Sequence, residues 1–166
     1  MEQHEAALLR YVAHLLPADA GEAAEDIAQE AFLRLHRQVE THGDGSVRKV
    51  STWLFRVARN LAMDSRRRKL RDRKARKTLM ETVEHTVEEV SDPGDDAARR
   101  EMCARAMAEL DALPDKQREV LVLRVVEDMK MREIAEVMDI SISNVAYHLN
   151  NGLRQLAGRL KTAGLT

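Results

Sequence analysis

The chain has 166 residues, of which 44% are hydrophobic, 33% are charged and only 3% are aromatic. This length allows one mid-sized domain or two small ones, and the few aromatic residues, with seven glycines, argue against a β-sandwich or β-barrel. Leu, Ala, Glu, Arg and Met dominate, so we expect an all-α protein. The single cysteine excludes a disulfide framework. No apolar run approaches the roughly 20 residues needed to cross a bilayer and no signal-peptide pattern is present, so we expect the protein in the cytoplasm.

The net charge of −1 hides a sharp division along the chain. Residues 48–77 contain thirteen lysines and arginines but only two acidic residues, whereas the rest of the chain is net negative. Like charges at this density repel one another, so a plain solvated helix face is the less favoured explanation. The segment indicates a nucleic-acid surface in an otherwise acidic protein.

Two helices are predicted before the basic segment. Leucine and valine recur at helical spacing up to Leu16, and the stretch 17–21 then breaks the pattern. A second helix begins in the acidic stretch 22–26, where carboxylates suit the positive end of a helix dipole, and it ends near residues 41–46.

The third predicted helix carries the basic segment. Ser51 or Thr52 can cap it, and its first turns have one apolar stripe that includes Trp53 and Leu61. Beyond Ser65 the stripe gives way to almost unbroken charge. The helix is therefore expected to be anchored at its start and solvated at its end.

An acidic linker is predicted next. Residues 81–101 contain eight acidic residues against two arginines, with "SDPGDD" in their middle. The linker is either a solvated tether or a segment that folds back over the basic arm when DNA is absent. The predicted domains are accordingly 1–78 and 99–166, joined by the linker 79–98.

The second domain begins with two more predicted helices. Their buried positions are expected at the apolar residues flanking Pro114, which sets the start of the second of these helices. Those residues are Met102, Ala106, Leu110 and Leu113 before it, and Val120, Leu121, Leu123 and Val125 after it.

The stretch "EIAEVMDISISNVAYHLNNGLRQL" (133–156) predicts a helix-turn-helix. Small Ala135 lets the two helices cross closely, and Asp139 falls where the turn favours a left-handed residue. The second helix has an apolar stripe of Val145, Leu149, Leu153, Leu156 and Leu160. Its opposite, outward face carries Ser143, Tyr147, Asn151 and Arg154. An ordinary helical hairpin in a bundle is the alternative.

Nothing in the sequence predicts an enzyme. The six histidines are scattered, there is no glycine-rich phosphate loop, and Cys103 lies in a Met/Ala-rich helical face where we expect it in the core. A group at ligand spacing, Glu81, Glu84, His85 and Glu88, lies in so acidic a linker that it is a poor metal site. We expect no cofactor, no metal and no small-molecule substrate.

Three segments in this order resemble the extracytoplasmic-function (ECF) group of bacterial RNA polymerase sigma factors. They are "AEDIAQEAFLRLHR" (24–37), "STWLFRVARNLAMDSRRR" (51–68) and "LDALPDKQREVLVLRVVEDMKMREIAEVMDIS" (110–141). The resemblance covers nearly the whole chain. It implies two small helical domains, region 2 and region 4, the second being a helix-turn-helix.

The resemblance also implies which residues bind. A carboxylate and amide row that suits a basic partner helix would dock on the β′ clamp of core RNA polymerase, namely Asp26, Gln29, Glu30 and Leu33. An aromatic, an amide and arginines would open and read the −10 element, namely Trp53, Arg56, Asn60, Arg66, Arg67 and Arg68. The last helix would read the −35 element through Ser143, Asn144, Tyr147, His148, Asn151 and Arg154.

The implied partners are core RNA polymerase, through its β′ clamp and β flap, promoter DNA and an anti-sigma factor. Unlike many members of the group, this chain has little charge on the last helix, where Arg154 is the one permanent cation between residues 141 and 155. We therefore expect charge-dependent affinity to come from the basic arm and polymerase, and discrimination from the last helix. Two alternatives are a stand-alone helix-turn-helix regulator and a sigma-like module whose last helix binds a regulatory protein.

Overall fold

A computed structural model describes residues 2–16, 21–77 and 95–164. Within these ranges the chain forms α-helices and no strand, which confirms the all-α class. The helices are α1 (Glu2–Leu15), α2 (Gly21–His42), α3 (Val50–Lys77), α4 (Asp95–Asp111), α5 (Asp115–Leu121), α6 (Met131–Met138) and α7 (Ile142–Thr162). No helix in the described ranges is long and apolar enough to cross a membrane.

Helices α1, α2 and α3 form the first unit. Alanines let the helices approach closely, because Ala28, Ala31, Ala58 and Ala62 are all buried. Tyr11 of α1 is fully buried, and its ring lies 5.0 Å from that of Phe55 of α3, measured between centroids. This core holds α3 rigidly against α1 and α2.

The predicted cap of α3 is wrong. The helix begins at Val50, so Ser51 and Thr52 lie inside its first turn. Thr52 is only 4% exposed, and its hydroxyl has no hydrogen-bond partner among the described residues. A 3-10 turn, Asp44–Ser46, joins α2 to α3.

The second unit comprises α4 to α7, with α5 continuing as a π-helical turn over Val122–Val126. A π turn adds a residue and rotates the side chains that follow it. Val122 and Leu123, at the start of this turn, are buried, whereas Val125, near its end, is rotated outward and is 66% exposed. The prediction that Val125 is buried is wrong for this reason.

The helix-turn-helix has the predicted local geometry. Asp139 ends α6 in the left-handed region, with φ 54° and ψ 50°. Ser141 caps α7, its hydroxyl oxygen accepting a hydrogen bond from the Asn144 backbone N–H at 3.1 Å. At the start of α6 the Glu133 carboxylate accepts one from the Lys130 N–H at 2.8 Å.

Three further predicted core positions, Leu153, Met102 and Cys103, lie at the surface. Leu153 is 46% exposed, and Gly152 is buried in its place, because the absence of a side chain at position 152 lets α7 lie directly on α5. Met102 and Cys103 are exposed as well, since α4 packs mainly against α7 and leaves its other sides in solvent.

Most of the predicted linker lies outside the described residues, including the group of Glu81, Glu84, His85 and Glu88. Helix α4 begins at Asp95, so the last residues of the segment predicted as linker are helical. The two units are in direct contact, because α6 packs along α3 and α5 packs against α1.

Candidate functional site

One face of α2 brings together the four residues predicted to bind polymerase. Asp26, Gln29, Glu30 and Leu33 follow one another at spacings of three, one and three residues, so they share a face. Asp26 and Gln29 are exposed, Glu30 is half-buried, and Leu33 is 50% exposed. Leu33 is thus a large apolar side chain in solvent within an acidic row.

A cleft of about 240 Å³ extends this α2 face onto α3. Asp26, Glu30 and Asp64 line it together with the apolar Leu61. Glu30 accepts a hydrogen bond from Arg34 at 2.8 Å, and this contact lowers the pKa of the Glu30 carboxyl. Carboxylates around an apolar floor suit a partner helix that presents both basic and apolar side chains.

Trp53 lies on α3 between two open clefts. One, of about 340 Å³, is lined by Arg48, Lys49 and Arg56, and the other, of about 360 Å³, by residues that include Arg34. The indole is half-buried and packs on the core of the first unit. Both of its predicted roles, in the core and beside DNA, are therefore compatible with its position.

The remaining predicted −10 residues divide between two sides of α3. Asn60, Arg67 and Arg68 are exposed to solvent, and Arg67 contacts Asp64 at 3.3 Å. Arg66 is half-buried and donates to Asp115 of the second unit at 2.7 Å. The Arg66 guanidinium is therefore already paired with a carboxylate of the second unit.

Helix α7 presents a mostly uncharged outward face. Ser143, Asn144 and Arg154 are exposed, and Tyr147 is 63% exposed. His148 and Asn151 are half-buried.

His148 is half-buried and contacts the neighbouring Tyr147. Its ring lies edge-on to that of Tyr147 at 5.4 Å, and its Nδ1 is buried without a hydrogen-bond partner among the described residues. The outward face predicted from helical periodicity exists, but His148 and Asn151 are at its margin.

A buried polar cluster between the units was not predicted from the sequence. The Glu119 carboxylate accepts from the Tyr11 hydroxyl at 2.7 Å and from Arg59 Nε at 2.6 Å, and Glu119 is only 4% exposed. Its one sequence signal is an acidic residue in the apolar run "EVLVL" (119–123), since a buried charge requires a partner.

The cluster shifts the ionisation of both partners of Glu119. Burial, together with the adjacent carboxylate, raises the pKa of Tyr11 well above its ordinary value. Burial alone would lower the pKa of Arg59, but the hydrogen bond and the charge of Glu119 outweigh it and raise that pKa. Tyr11 is therefore neutral and Arg59 charged in the folded protein.

Two family models match the chain. Sigma-70 region 2 matches residues 1–72, and sigma-70 region 4 matches residues 104–156. These segments correspond to the two helical units.

Curated proteins give the same assignment. The ECF RNA polymerase sigma factor SigW of Bacillus subtilis (strain 168) is 33% identical over 143 residues, which cover 83% of this chain and 75% of SigW. SigL of Mycobacterium tuberculosis (strain ATCC 25618 / H37Rv), also an ECF sigma factor, is 32% identical over 167 residues, covering 99% of this chain and 89% of SigL.

The fold matches that of the sigma factor RpoE of Bartonella quintana, solved in complex with the anti-sigma factor NepR. The TM-score is 0.70 at 17% identity, and the match covers 96% of this chain and 92% of RpoE. With this fold, both sigma-70 regions and the identity to SigW and SigL, the chain belongs to the ECF family of RNA polymerase sigma factors.

Proposed function

We propose that three surfaces of this sigma factor divide the work of initiation. The α2 face docks on the β′ clamp of core polymerase, the exposed side of α3 engages the −10 element, and α7 reads the −35 element, with region 4 also contacting the β flap. In this proposal residues 1–78 form region 2 and residues 99–166 form region 4. The observation that carries it is that Asp26, Gln29, Glu30 and Leu33 share one face of α2, on which Leu33 is 50% exposed.

Polymerase binding and strand opening are served by one rigid unit. The α2 face and the −10 residues of α3 share the core of the first unit, so docking on polymerase fixes the position of α3. Trp53 then lies at the edge of the strands being separated, and Asn60 is free to bond an extruded base. Arg67 and Arg68 hold the backbone.

The −35 element is read by amide and hydroxyl groups. Tyr147 projects from α7, and the Asn151 amide can bond an adenine edge from the margin of the same face. Arg154 contributes the charge on this face. Such a helix discriminates among sequences but adds little salt-dependent affinity, which the basic side of α3 supplies.

The protein acts by binding and catalyses no reaction itself, since polymerase performs the chemistry. Its site of action is the cytoplasm, where polymerase transcribes. An anti-sigma factor is a candidate third partner, because the solved relative RpoE is held in a complex with one. Affinity capture of the full chain from its host, done with and without added core polymerase, tests whether such an anti-sigma factor binds.

Transcription in vitro tests the function directly. The purified full chain is added to core polymerase with a fragmented genomic library as template, and specific transcripts are sequenced. We expect discrete start sites that require the added chain. Capture of the chain by an inhibitor without any promoter-specific transcript would favour the protein-interaction module instead.

A further inference from the structure

The groove between α2 and α3 changes the sign of its charge along its length. At one end it is lined by three carboxylates and one arginine, namely Asp26, Glu30, Asp64 and Arg68. At the other end the cleft of about 360 Å³ is lined by Arg34 and Arg37 of α2 and by Trp53 of α3, and none of its lining residues is acidic. The two ends therefore suit partners of opposite charge, and the basic end calls for an anion.

The two arginines of the basic end are available to such an anion. Arg37 is exposed and makes no hydrogen bond or ion pair among the described residues. Arg34 donates to Glu30 through its Nε at 2.8 Å, so its terminal nitrogens can reach a further acceptor. A planar guanidinium binds phosphate through two parallel hydrogen bonds, and an arginine pair is therefore well suited to a nucleotide backbone.

Trp53 adds an aromatic surface to this basic cleft. Its indole is half-buried, and the half-buried Val57 lies beside it in the lining. Nucleobases stack on aromatic side chains while nearby cations hold the phosphates, an arrangement typical of sites for single-stranded nucleic acid. An indole beside two arginines therefore fits one nucleotide of an unpaired strand.

The same indole separates this cleft from a second one, which is lined by Arg48 and Arg56. Glu136 of the second unit also lines that second cleft, whereas the residues that line the Arg37 cleft all belong to α2 and α3. A strand that passes over Trp53 would place one nucleotide in each cleft. The Arg37 cleft is open to such a strand in the free protein, because the second unit does not contribute to its walls.

We propose that the cleft of Arg34, Arg37 and Trp53 binds the nucleotide that adjoins the −10 element on the melted promoter strand, with its base on the indole and a phosphate on the arginines. This inference rests on the proposed function and adds a DNA-binding site on α2. The strand then runs from α3 onto α2, toward the face that meets polymerase. DNA capture and polymerase docking use opposite ends of one groove.

The fluorescence of Trp53 reports on this site, because the chain contains one tryptophan. The free full chain is titrated with a short single-stranded DNA of mixed sequence at about 0.05 M salt, where phosphate contacts contribute strongly. Stacking of a base on the indole should quench its emission, and the quenching should saturate as the cleft fills.

Substitutions of Arg37 test which cleft the strand occupies. Arg37→Gln should weaken the binding at least about threefold and lower the slope of log affinity against log salt by about 0.7, the value for one phosphate contact on a single strand. Arg37→Lys keeps the charge, so it should retain the slope of the parent. Arg159→Gln is the matched control, since Arg159 is exposed on α7 and pairs with Glu109 inside the second unit.

Equal affinity of the parent and Arg37→Gln would place the strand in the Arg48 cleft alone and overturn the proposal. Arg37→Gln should also co-purify with core polymerase as well as the control does. Loss of polymerase with unchanged oligonucleotide affinity would instead assign the basic end of the groove to polymerase docking. The titration uses no polymerase, so its failure is distinct from failure of the sigma function, which the transcription assay reports.

Discussion

Gly152 of α7 lies directly against Leu121 of α5. A Cβ at position 152 would be 3.0 Å from Leu121 Cδ1 and 3.3 Å from Gln117 Cβ. Leu121 is only 1% exposed and Gln117 Cβ is fixed to the α5 backbone, so neither can move without parting the two helices. This close contact fixes α7 against α5 within the second unit.

Gly152→Ala should therefore destabilise the protein although alanine favours a helix. Overpacking should lower the free energy of unfolding by about 1–3 kcal/mol, and the higher helix propensity of alanine should raise it by about 0.5–1 kcal/mol. We therefore expect a net decrease of about 1 kcal/mol in the free energy of unfolding. Gly158→Ala is the control on the same helix, because nothing lies within 4 Å of a Cβ there. The Gly158→Ala variant should be more stable than the parent by about 0.5–1 kcal/mol. Both variants are measured by urea titration, and stabilisation of both would contradict the packing argument.

Stability should fall at acid pH partly through Glu133. The hydrogen bond from Lys49, followed by that from the Lys130 N–H, lowers the pKa of the Glu133 carboxyl below its ordinary 4.5. A carboxyl with a lowered folded pKa contributes stability above its unfolded pKa, and that contribution is lost as the pH falls through the folded value.

The comparison with Glu133→Gln measures this contribution. The parent should be more stable than the variant at pH 7, and its advantage should shrink as the pH falls below 4.5. Unfolding is followed by urea titration at each pH. A difference that stays constant down to pH 3 would show that the Glu133 charge does not contribute.

Local features could be predicted from the sequence, and features that depend on long-range packing could not. The left-handed Asp139 and the outward position of Tyr147 follow from a few neighbouring residues. The exposure of Leu153 and Val125 depends on a close helix contact and a π turn, which periodicity does not encode. The Glu119–Arg59 pair joins residues 60 positions apart, and only an acidic residue in an apolar run hints at it.

Charge reversal on the α2 face should release polymerase. Asp26→Lys/Glu30→Lys places cations in the acidic row that we propose meets a basic partner helix, so the unfavourable contacts should abolish co-purification with core polymerase. Glu5→Lys/Glu40→Lys is the control, since both residues are exposed and the net charge changes equally. If the first variant retains polymerase as well as the control does, the α2 face is not the docking surface.

Asn60→Ala should impair strand opening. Asn60 is exposed on α3, where its amide can capture an extruded base. Open-complex formation should fall on a duplex promoter but much less on a template already mismatched across the −10 element. Permanganate footprinting on both templates measures this, and an equal loss on the two would assign Asn60 to folding or to readout without melting.

Asn151→Ala and Arg67→Ala should change DNA binding in different ways, because we propose that α7 reads bases and that α3 binds phosphate. Asn151 is half-buried at the margin of the α7 face, and an asparagine amide can bond adenine at two positions. Its loss should cost about 1–3 kcal/mol on the preferred −35 sequence, relax preference at one base pair and leave the salt dependence nearly unchanged. The Arg67 side chain is 73% exposed, and as a phosphate contact its loss should weaken binding similarly on all sequences.

The salt dependence separates the two variants. Arg67→Ala should reduce the slope of log affinity against log salt by about one unit, because one fewer counterion is released. Both variants are measured as holoenzyme across a salt series, on promoters substituted one pair at a time in the −35 element. If Asn151→Ala leaves base preference unchanged while Arg67→Ala alters it, α7 does not read the −35 element, and its exposed face is better explained as a surface for a regulatory protein.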